Sequence, residues 1–163
     1  KFLVNLIKVL KNHNIQPPAS VALYCAKDDE APTDHLIQRL FDMGFHIYLP
    51  KIGKGVGEAP LEFHPYKPND SLTKGPYGIM EPDSSPISNF IPDIIICPCL
   101  AFNRKGHRLG YGKGYYDKTL SLILNSPLEQ KPLMLALAFS CQETSTPFAD
   151  ALDVAMDGHV TEE

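Results

Sequence analysis

A glycine-rich basic segment, Asn103-Arg-Lys-Gly-His-Arg-Leu-Gly-Tyr-Gly-Lys-Gly-Tyr-Tyr-Asp117, constrains this chain more than any other feature. It follows an apolar run, Asp93-Ile-Ile-Ile-Cys-Pro98, and precedes an amphipathic one, Lys118-Thr-Leu-Ser-Leu-Ile-Leu124. A continuous apolar run suits a central strand covered on both faces. Strand, glycine-rich loop, helix is the order that aims backbone N–H groups and a helix N-terminus at an anion. Gly106, Gly110, Gly112 and Gly114 allow the backbone to turn and to approach a ligand closely. Lys105, His107, Arg108 and Lys113 concentrate positive charge in a chain whose formal net charge is -4. The segment therefore predicts a phosphate site.

The flanking chain supplies the sheet this loop needs. Phe2, Leu3, Leu6, Ile7 and Leu10 recur at helical spacing, which predicts an amphipathic helix over 1–13, ended by Pro17-Pro18. Ser20-Val-Ala-Leu-Tyr-Cys25 reads as a short apolar strand followed by an acidic loop, Lys27-Asp-Asp-Glu30. Thr33-Asp34 opens a second helix with Leu36, Ile37, Leu40 and Phe41 on one face and Gly44 as its stop. His46-Ile-Tyr-Leu49 is the next strand, closed by Pro50, and 51–60 is a loop. Leu61-Glu-Phe-His64 alternates as a short antiparallel strand would. Residues 65–90, rich in Pro, Gly, Asp and Ser, form a long irregular excursion. Leu133-Met-Leu-Ala-Leu-Ala-Phe139 is the last strong strand, and the acidic end from Ala149 adds an edge strand near Ala155 or His159-Val160. Helices alternating with strands predict an α/β fold with a mostly parallel sheet.

Bulk properties exclude several classes. A length of 163 residues supports one domain with a full core. Net charge -4 and a pI near 5.8 argue against a nucleic-acid-binding face. No apolar run approaches the roughly 20 residues a membrane-spanning helix needs. Cys25, Cys97, Cys99 and Cys141 show no disulfide-scaffold or zinc spacing, and all lie in or beside apolar runs. Buried, reduced thiols in a cytoplasmic protein are the expectation.

The loop matches neither common phosphate pattern. A P-loop needs Ser or Thr after its Lys, and here Gly114 follows Lys113. Gly110-x-Gly112-x-Gly114 has the wrong last spacing for a dinucleotide fingerprint. Phosphate binding itself needs only free N–H groups, a helix N-terminus and a cation. Asp117 falls in the first turn of the following helix, where a carboxylate either interacts with the helix dipole or holds Mg²⁺ beside substrate phosphates. Asp153 and Asp157 are candidate second carboxylates or a solvated acidic tail. Glu30 follows a strand, where open α/β sheets bind ligands, but taken alone it reads more readily as a surface charge. Tyr111, Tyr115 and Tyr116 suit either stacking on a flat ring or packing.

The stretch Pro98-Cys-Leu-Ala-Phe-Asn-Arg-Lys-Gly-His-Arg-Leu-Gly-Tyr-Gly-Lys-Gly-Tyr-Tyr-Asp117 resembles the signature of the 5-formyltetrahydrofolate cyclo-ligase (methenyltetrahydrofolate synthetase) family. The resemblance extends to Leu23-Tyr24 through Asp29-Glu30, to Tyr48-Leu-Pro50, to Gly78-Ile-Met-Glu-Pro82, and to Asp153-x-x-x-Asp157-x-x-x-Thr161-Glu162.

It implies a three-layer α/β/α fold similar to the sugar-isomerase and CoA-transferase group. It also implies ATP-dependent cyclisation of 5-formyltetrahydrofolate to 5,10-methenyltetrahydrofolate, giving ADP and phosphate. Arg108, Leu109, Gly110, Tyr111, Gly112, Lys113, Gly114, Tyr115 and Tyr116 would then line the ATP phosphates, with Lys113, Arg108 and Tyr116 in catalysis. Cys25 and Glu30, with Tyr111 to Tyr115, would meet the folate, and Asp117 and Asp153 would hold Mg²⁺. Partners would be these small molecules only, with no nucleic acid or membrane, on a cytoplasmic monomer. The family opens with a basic helix reaching ATP, which Lys1, Lys8 and Lys11 do not reproduce. The expectation is one cyclo-ligase-like domain over 1–163 lacking that helix. Asn103 stands where the family usually has Asp, which predicts altered turn hydrogen bonding. The alternatives are a non-catalytic nucleotide- or folate-binding relative and a phosphosugar or CoA-dependent enzyme on a similar sheet.

Overall fold

The computed structural model describes residues 1–54, 60–127, 129–148 and 150–163. In chain order the elements are α1 (Phe2–Asn12), β1 (Ser20–Ala22), α2 (Asp34–Asp42), β2 (His46–Ile52), β3 (Leu61–Tyr66), β4 (Leu72–Lys74) and β5 (Met80–Pro82). Then follow β6 (Ile94–Pro98), β7 (Ala101–Phe102), β8 (Arg108–Leu109), α3 (Tyr115–Asn125), β9 (Leu133–Leu137) and β10 (Gly158–Val160). Six strands form one sheet in the order β10-β9-β6-β1-β2-β3. Every neighbouring pair is parallel except β2 with β3.

Strand alternation divides the core between two faces. Val21, Leu23, Ile47, Leu49, Ile94, Ile96, Leu133, Leu135 and Leu137 pack with Leu6 and Leu10 of α1 and Leu36, Ile37 and Leu40 of α2. Ala22, Tyr48, Ile95, Cys97, Met134 and Ala136 pack with Leu120 and Ile123 of α3 on the other face. This is the expected three-layer α/β/α arrangement. The faces differ in bulk: large aliphatics meet two helices, while Ala and Cys positions let α3 and the loops near it sit close.

The chain order places a reversal in the sheet. From β1 the chain steps outward to β2 and β3, then returns to β6 on the opposite side of β1 and continues to β9 and β10. Ligand crevices of open α/β sheets lie at such a switch point, beyond the carboxyl ends of the strands. The acidic loop leaves the end of β1, and the glycine loop leaves the end of β6. Asp93 locks the other end of this strand pair, its Oδ2 accepting both the N–H and the hydroxyl of Ser20 at 2.7 Å.

Some sequence expectations need correction. Pro50 does not close β2, which runs on to Ile52. Its pairing with β1 ends at Tyr48, so the missing proline N–H costs no ladder bond on that side, while β3 continues to pair through Ile52. Of the loop expected over 51–60, residues 51 and 52 are strand, and 55–59 lie outside the described residues. The 65–90 excursion contains an antiparallel hairpin, β4 with β5. Cys141 is exposed and Cys25 half-buried, so only Cys97 and Cys99 follow the expected burial. No helix among the described residues is long and apolar enough to cross a membrane.

Candidate active site

The glycine loop is not a simple turn between β6 and α3. It first folds into a small hairpin in which Phe102 pairs with Arg108 and Ala101 with Leu109. Asn103 closes this hairpin: its Oδ1 accepts the N–H of Lys105 at 3.0 Å and of His107 at 3.1 Å. A carboxylate there would accept the same two bonds, so the turn itself does not depend on the amide; what the Asn adds is its Nδ2, 3.3 Å from His107 Nδ1. Gly106 has φ +88, and a Cβ there would lie 2.6 Å from the backbone oxygen of Met156. Arg104 is drawn aside into an exposed pair with Glu143, Nε to Oε1 at 2.6 Å.

Alternation along β8 then sends Leu109 outward and Arg108 inward. Arg108 is buried, 6% exposed. Its Nη2 lies 3.3 Å from Asp117 Oδ1, and its guanidinium stands over the ring of Tyr116, 5.3 Å from the centroid. The Arg108 Nε and the Tyr116 hydroxyl are buried with no hydrogen-bond partner among the described residues. Burial raises the Tyr116 phenol well above its ordinary range, with Arg108 pulling the other way. Burial likewise pushes the Cys97 thiol up to about 11 and Cys99 to about 12, each against the lowering pull of Arg108. Both cysteines are therefore neutral thiols and poor nucleophiles at neutral pH.

Beyond β8 the loop opens. Gly112 (φ +82) and Gly114 (φ +71) hold conformations that favour glycine, and a Cβ at either would meet no atom within 4 Å. Packing does not demand glycine here, and the space over the loop is open to a ligand. Gly114 caps α3, which has no side-chain N-cap bond, so the first N–H groups of the helix retain donors. Tyr111, Gly112, Lys113 and Gly114 are exposed.

Glu30 faces this loop. Its charge helps raise the pKa of Tyr24 at the β1 end and of Tyr111 and Tyr116 in the glycine loop. Burial raises its pKa, partly offset by the Lys27 N–H donating to Oε2 at 2.9 Å. Cys25 sits nearby at the end of the same run, its thiol pushed up to about 11 by burial and then by Asp34.

Asp117 Oδ1 also accepts the N–H of Val154 at 3.1 Å, which brings the C-terminal segment carrying Asp153 against α3. Asp117 Oδ2 takes no hydrogen bond among the described residues, whereas Asp153 Oδ2 accepts the Asp150 N–H at 3.0 Å. Asp157 is spent differently. Its Oδ2 accepts the Met134 N–H at 2.8 Å, which ties this segment to β9. Clefts of ≈320 Å³ beside β3 and ≈460 Å³ between β3 and α3 are lined by no glycine-loop residue.

Residues 6–162 match the 5-formyltetrahydrofolate cyclo-ligase family. The chain belongs to that family. The 5-formyltetrahydrofolate cyclo-ligase of Haemophilus influenzae is 33% identical over 141 residues, covering 84% of this chain and 72% of its own. The cyclo-ligase of Escherichia coli K12 is 36% identical over 106 residues, 62% of this chain and 57% of its own. The solved 5,10-methenyltetrahydrofolate synthetase of Aquifex aeolicus superposes with a TM-score of 0.74 at 30% identity, covering 99% of this chain and 78% of that one. That of Mycoplasma pneumoniae, at 21% identity and a TM-score of 0.71 over 99% and 83%, shares the fold. In this cyclo-ligase-family chain the signature splits physically in two. Residues 101–109 build a hairpin that buries Phe102 and Arg108, and Tyr111 to Gly114 form an exposed lip.

One residue beside the lip carries no mark in the sequence. Tyr77, at the tip of the β4-β5 hairpin, has its ring 5.0 Å from the Lys113 Nζ and 6.4 Å from the ring of Tyr115. Gly75-Pro-Tyr-Gly78 announces a turn, but nothing local says that this turn lands on a loop over thirty positions later.

Proposed function

We propose that this protein catalyses the ATP-dependent cyclisation of 5-formyltetrahydrofolate to 5,10-methenyltetrahydrofolate, releasing ADP and phosphate. Family membership over residues 6–162 is the observation that carries it. The formyl oxygen is a poor leaving group. Transfer of the γ-phosphoryl group to that oxygen turns it into a phosphate leaving group on an imidate carbon. N10 then attacks this carbon and loses its proton, the C–O bond breaks, and phosphate departs from the closed ring.

Such chemistry asks for positioning and charge neutralisation more than for a protein nucleophile. Lys113 and the N–H groups of Gly112, Gly114 and the start of α3 would hold the phosphates. Leu109, Gly110, Tyr111, Tyr115 and Tyr116 complete the proposed ATP lip. Arg108 is a support for it, because its guanidinium is buried against Asp117 and Tyr116. Glu30 would accept hydrogen bonds from pterin N–H groups, with Cys25 beside it and tyrosine rings on the flat face.

Asp117 and Asp153 would hold Mg²⁺: Asp117 Oδ2 takes no hydrogen bond among the described residues, and the Val154 N–H bond brings the residue after Asp153 onto Asp117. Mg²⁺ usually binds one or two carboxylates plus substrate phosphates. When bound, the ion would neutralise phosphate charge. Neutral, buried Cys97 and Cys99 agree with a cytoplasmic setting, and a monomer is part of the same proposal.

The test is the absorbance of methenyltetrahydrofolate on mixing the full-length protein with 5-formyltetrahydrofolate and Mg-ATP. Product that requires all three components is the expected result. Binding of ATP or folate without product identifies a non-catalytic relative instead.

A further inference from the structure

We infer that Tyr77 is a positioning residue for Lys113, holding its ammonium over the glycine lip where ATP phosphates would lie. The inference rests on the phosphate role proposed for Lys113. Tyr77 stands in a left-handed conformation, φ 58 and ψ 16, which is uncommon for a bulky residue and costs energy unless the surroundings enforce it. Those surroundings are specific. The Gly75 N–H donates to the Ile79 carbonyl at 2.8 Å and closes the turn. Glu81, buried, packs so closely on Gly75 that a Cβ there would collide with its carboxyl group. Glu81 Oε1 in turn accepts the Ile52 N–H at 3.1 Å, and Lys51 Nζ donates to the Pro82 carbonyl at 3.1 Å. The hairpin is thus fastened to β2 of the central sheet.

From the other side, Lys27 Nζ donates to the Tyr77 carbonyl at 2.9 Å. Lys27 is also the residue whose N–H holds Glu30. One tyrosine therefore joins three elements: the acidic loop through its backbone, the sheet through its hairpin, and the glycine lip through its ring. Tyr77 is 51% exposed and lies outside the core, so the arrangement is not explained by core burial. What the ring does contact is the Lys113 ammonium at 5.0 Å and the Tyr115 ring. Its π face attracts the ammonium and narrows where a flexible four-carbon side chain can carry its charge.

The experiment compares Tyr77→Asn, Tyr77→Phe and Lys113→Ala in the full chain. Asn tolerates the left-handed backbone but has no ring, so any loss reports the ring and not the turn. Tyr77→Asn should weaken Mg-ATP, as KM and as affinity in an equilibrium titration, by about two- to fivefold, the range of an exposed cation–π contact. The KM for 5-formyltetrahydrofolate should stay within twofold, and Tyr77→Phe should restore the wild-type values. On a Lys113→Ala background, Tyr77→Asn should have no further effect on ATP affinity.

An equal effect on that background, or a change confined to the folate KM, overturns the positioning role. So does failure of Tyr77→Phe to rescue, or unchanged ATP affinity in Tyr77→Asn. If Lys113→Ala itself binds ATP as the wild type does, the phosphate reading of Lys113 fails, and that outcome is distinct from all of these.

Discussion

Arg108 and Asp117 meet at the root of the glycine lip, Nη2 to Oδ1 at 3.3 Å, and the same oxygen takes the Val154 N–H at 3.1 Å. One carboxylate oxygen thus joins the β7-β8 hairpin, the first turn of α3 and the C-terminal segment. Because the Arg108 side chain is only 4% exposed, the pair is worth most as a constraint on where the loop ends lie.

Arg108→Ala should therefore destabilise the protein. Removing one partner of a buried pair costs about 3–5 kcal/mol, and the partial exposure of Asp117 places this case at about 3 kcal/mol. Arg108→Lys should recover only part of it, because an ammonium cannot reproduce the guanidinium over Tyr116. Urea unfolding with an unchanged m-value checks both, and a wild-type midpoint for Arg108→Ala would contradict the brace.

Two glycines of the same loop should respond in opposite ways. Gly106→Ala forces a Cβ to within 2.6 Å of the Met156 carbonyl at φ +88, so on the order of 2 kcal/mol of stability should be lost. Gly112→Ala meets no atom within 4 Å and pays only the positive-φ strain, about 1–2 kcal/mol. Its methyl group would instead project into the space proposed for phosphate. Thermal unfolding alongside ATP KM separates the two: Gly106→Ala should be worse in Tm, and Gly112→Ala worse in KM.

These contrasts also show what local sequence can and cannot report. The continuous apolar runs Ile94-Ile-Ile and Leu133-Met-Leu-Ala-Leu announced a sheet covered on both faces, because burial on each side is a property of each strand alone. The glycine spacing announced the open loop ahead of α3 for the same local reason. Nothing local separates Arg108 from Lys113. One points inward only because β8 pairs with Phe102, and that pairing depends on the Asn103 turn. Tyr77 joins the loop through long-range packing of its hairpin on β2, which no periodicity records. Pro50 looked like a strand end because proline removes a donor, yet the bond it would have made lay past the end of β1.

Lys113→Ala should reduce kcat/KM for ATP by about 10²–10³, the scale of removing one fixed electrostatic donor from a transition state. Lys113 is exposed and outside the core, so stability should stay within about 0.5 kcal/mol of wild type. Steady-state kinetics with thermal unfolding on the same preparation decide it. Full activity, or a protein that no longer folds, would remove Lys113 from the proposed chemistry.

Glu30 supplies the pH-dependent case. Burial raises its pKa above the ordinary carboxylate value, more than the Lys27 N–H lowers it. The folded state then holds this proton more tightly than the unfolded chain does. As pH rises from the unfolded value through the raised folded value, the folded state loses stability, and at pH 7 it carries the full cost of a half-buried charge. Glu30→Gln should therefore raise Tm at pH 7, since the amide oxygen can still accept the Lys27 N–H. The gain should shrink as pH falls and vanish well below the ordinary carboxylate value, where the wild-type carboxyl is protonated in both states. The same substitution should weaken folate, because one carboxylate acceptor for pterin N–H groups becomes an amide, and hydrogen bonds to a charged group are worth about 1.5–3 kcal/mol. A ten- to hundredfold rise in the 5-formyltetrahydrofolate KM together with a higher Tm is the expected signature. A lower Tm at pH 7 would mean that Glu30 is held by a favourable contact which outweighs its burial.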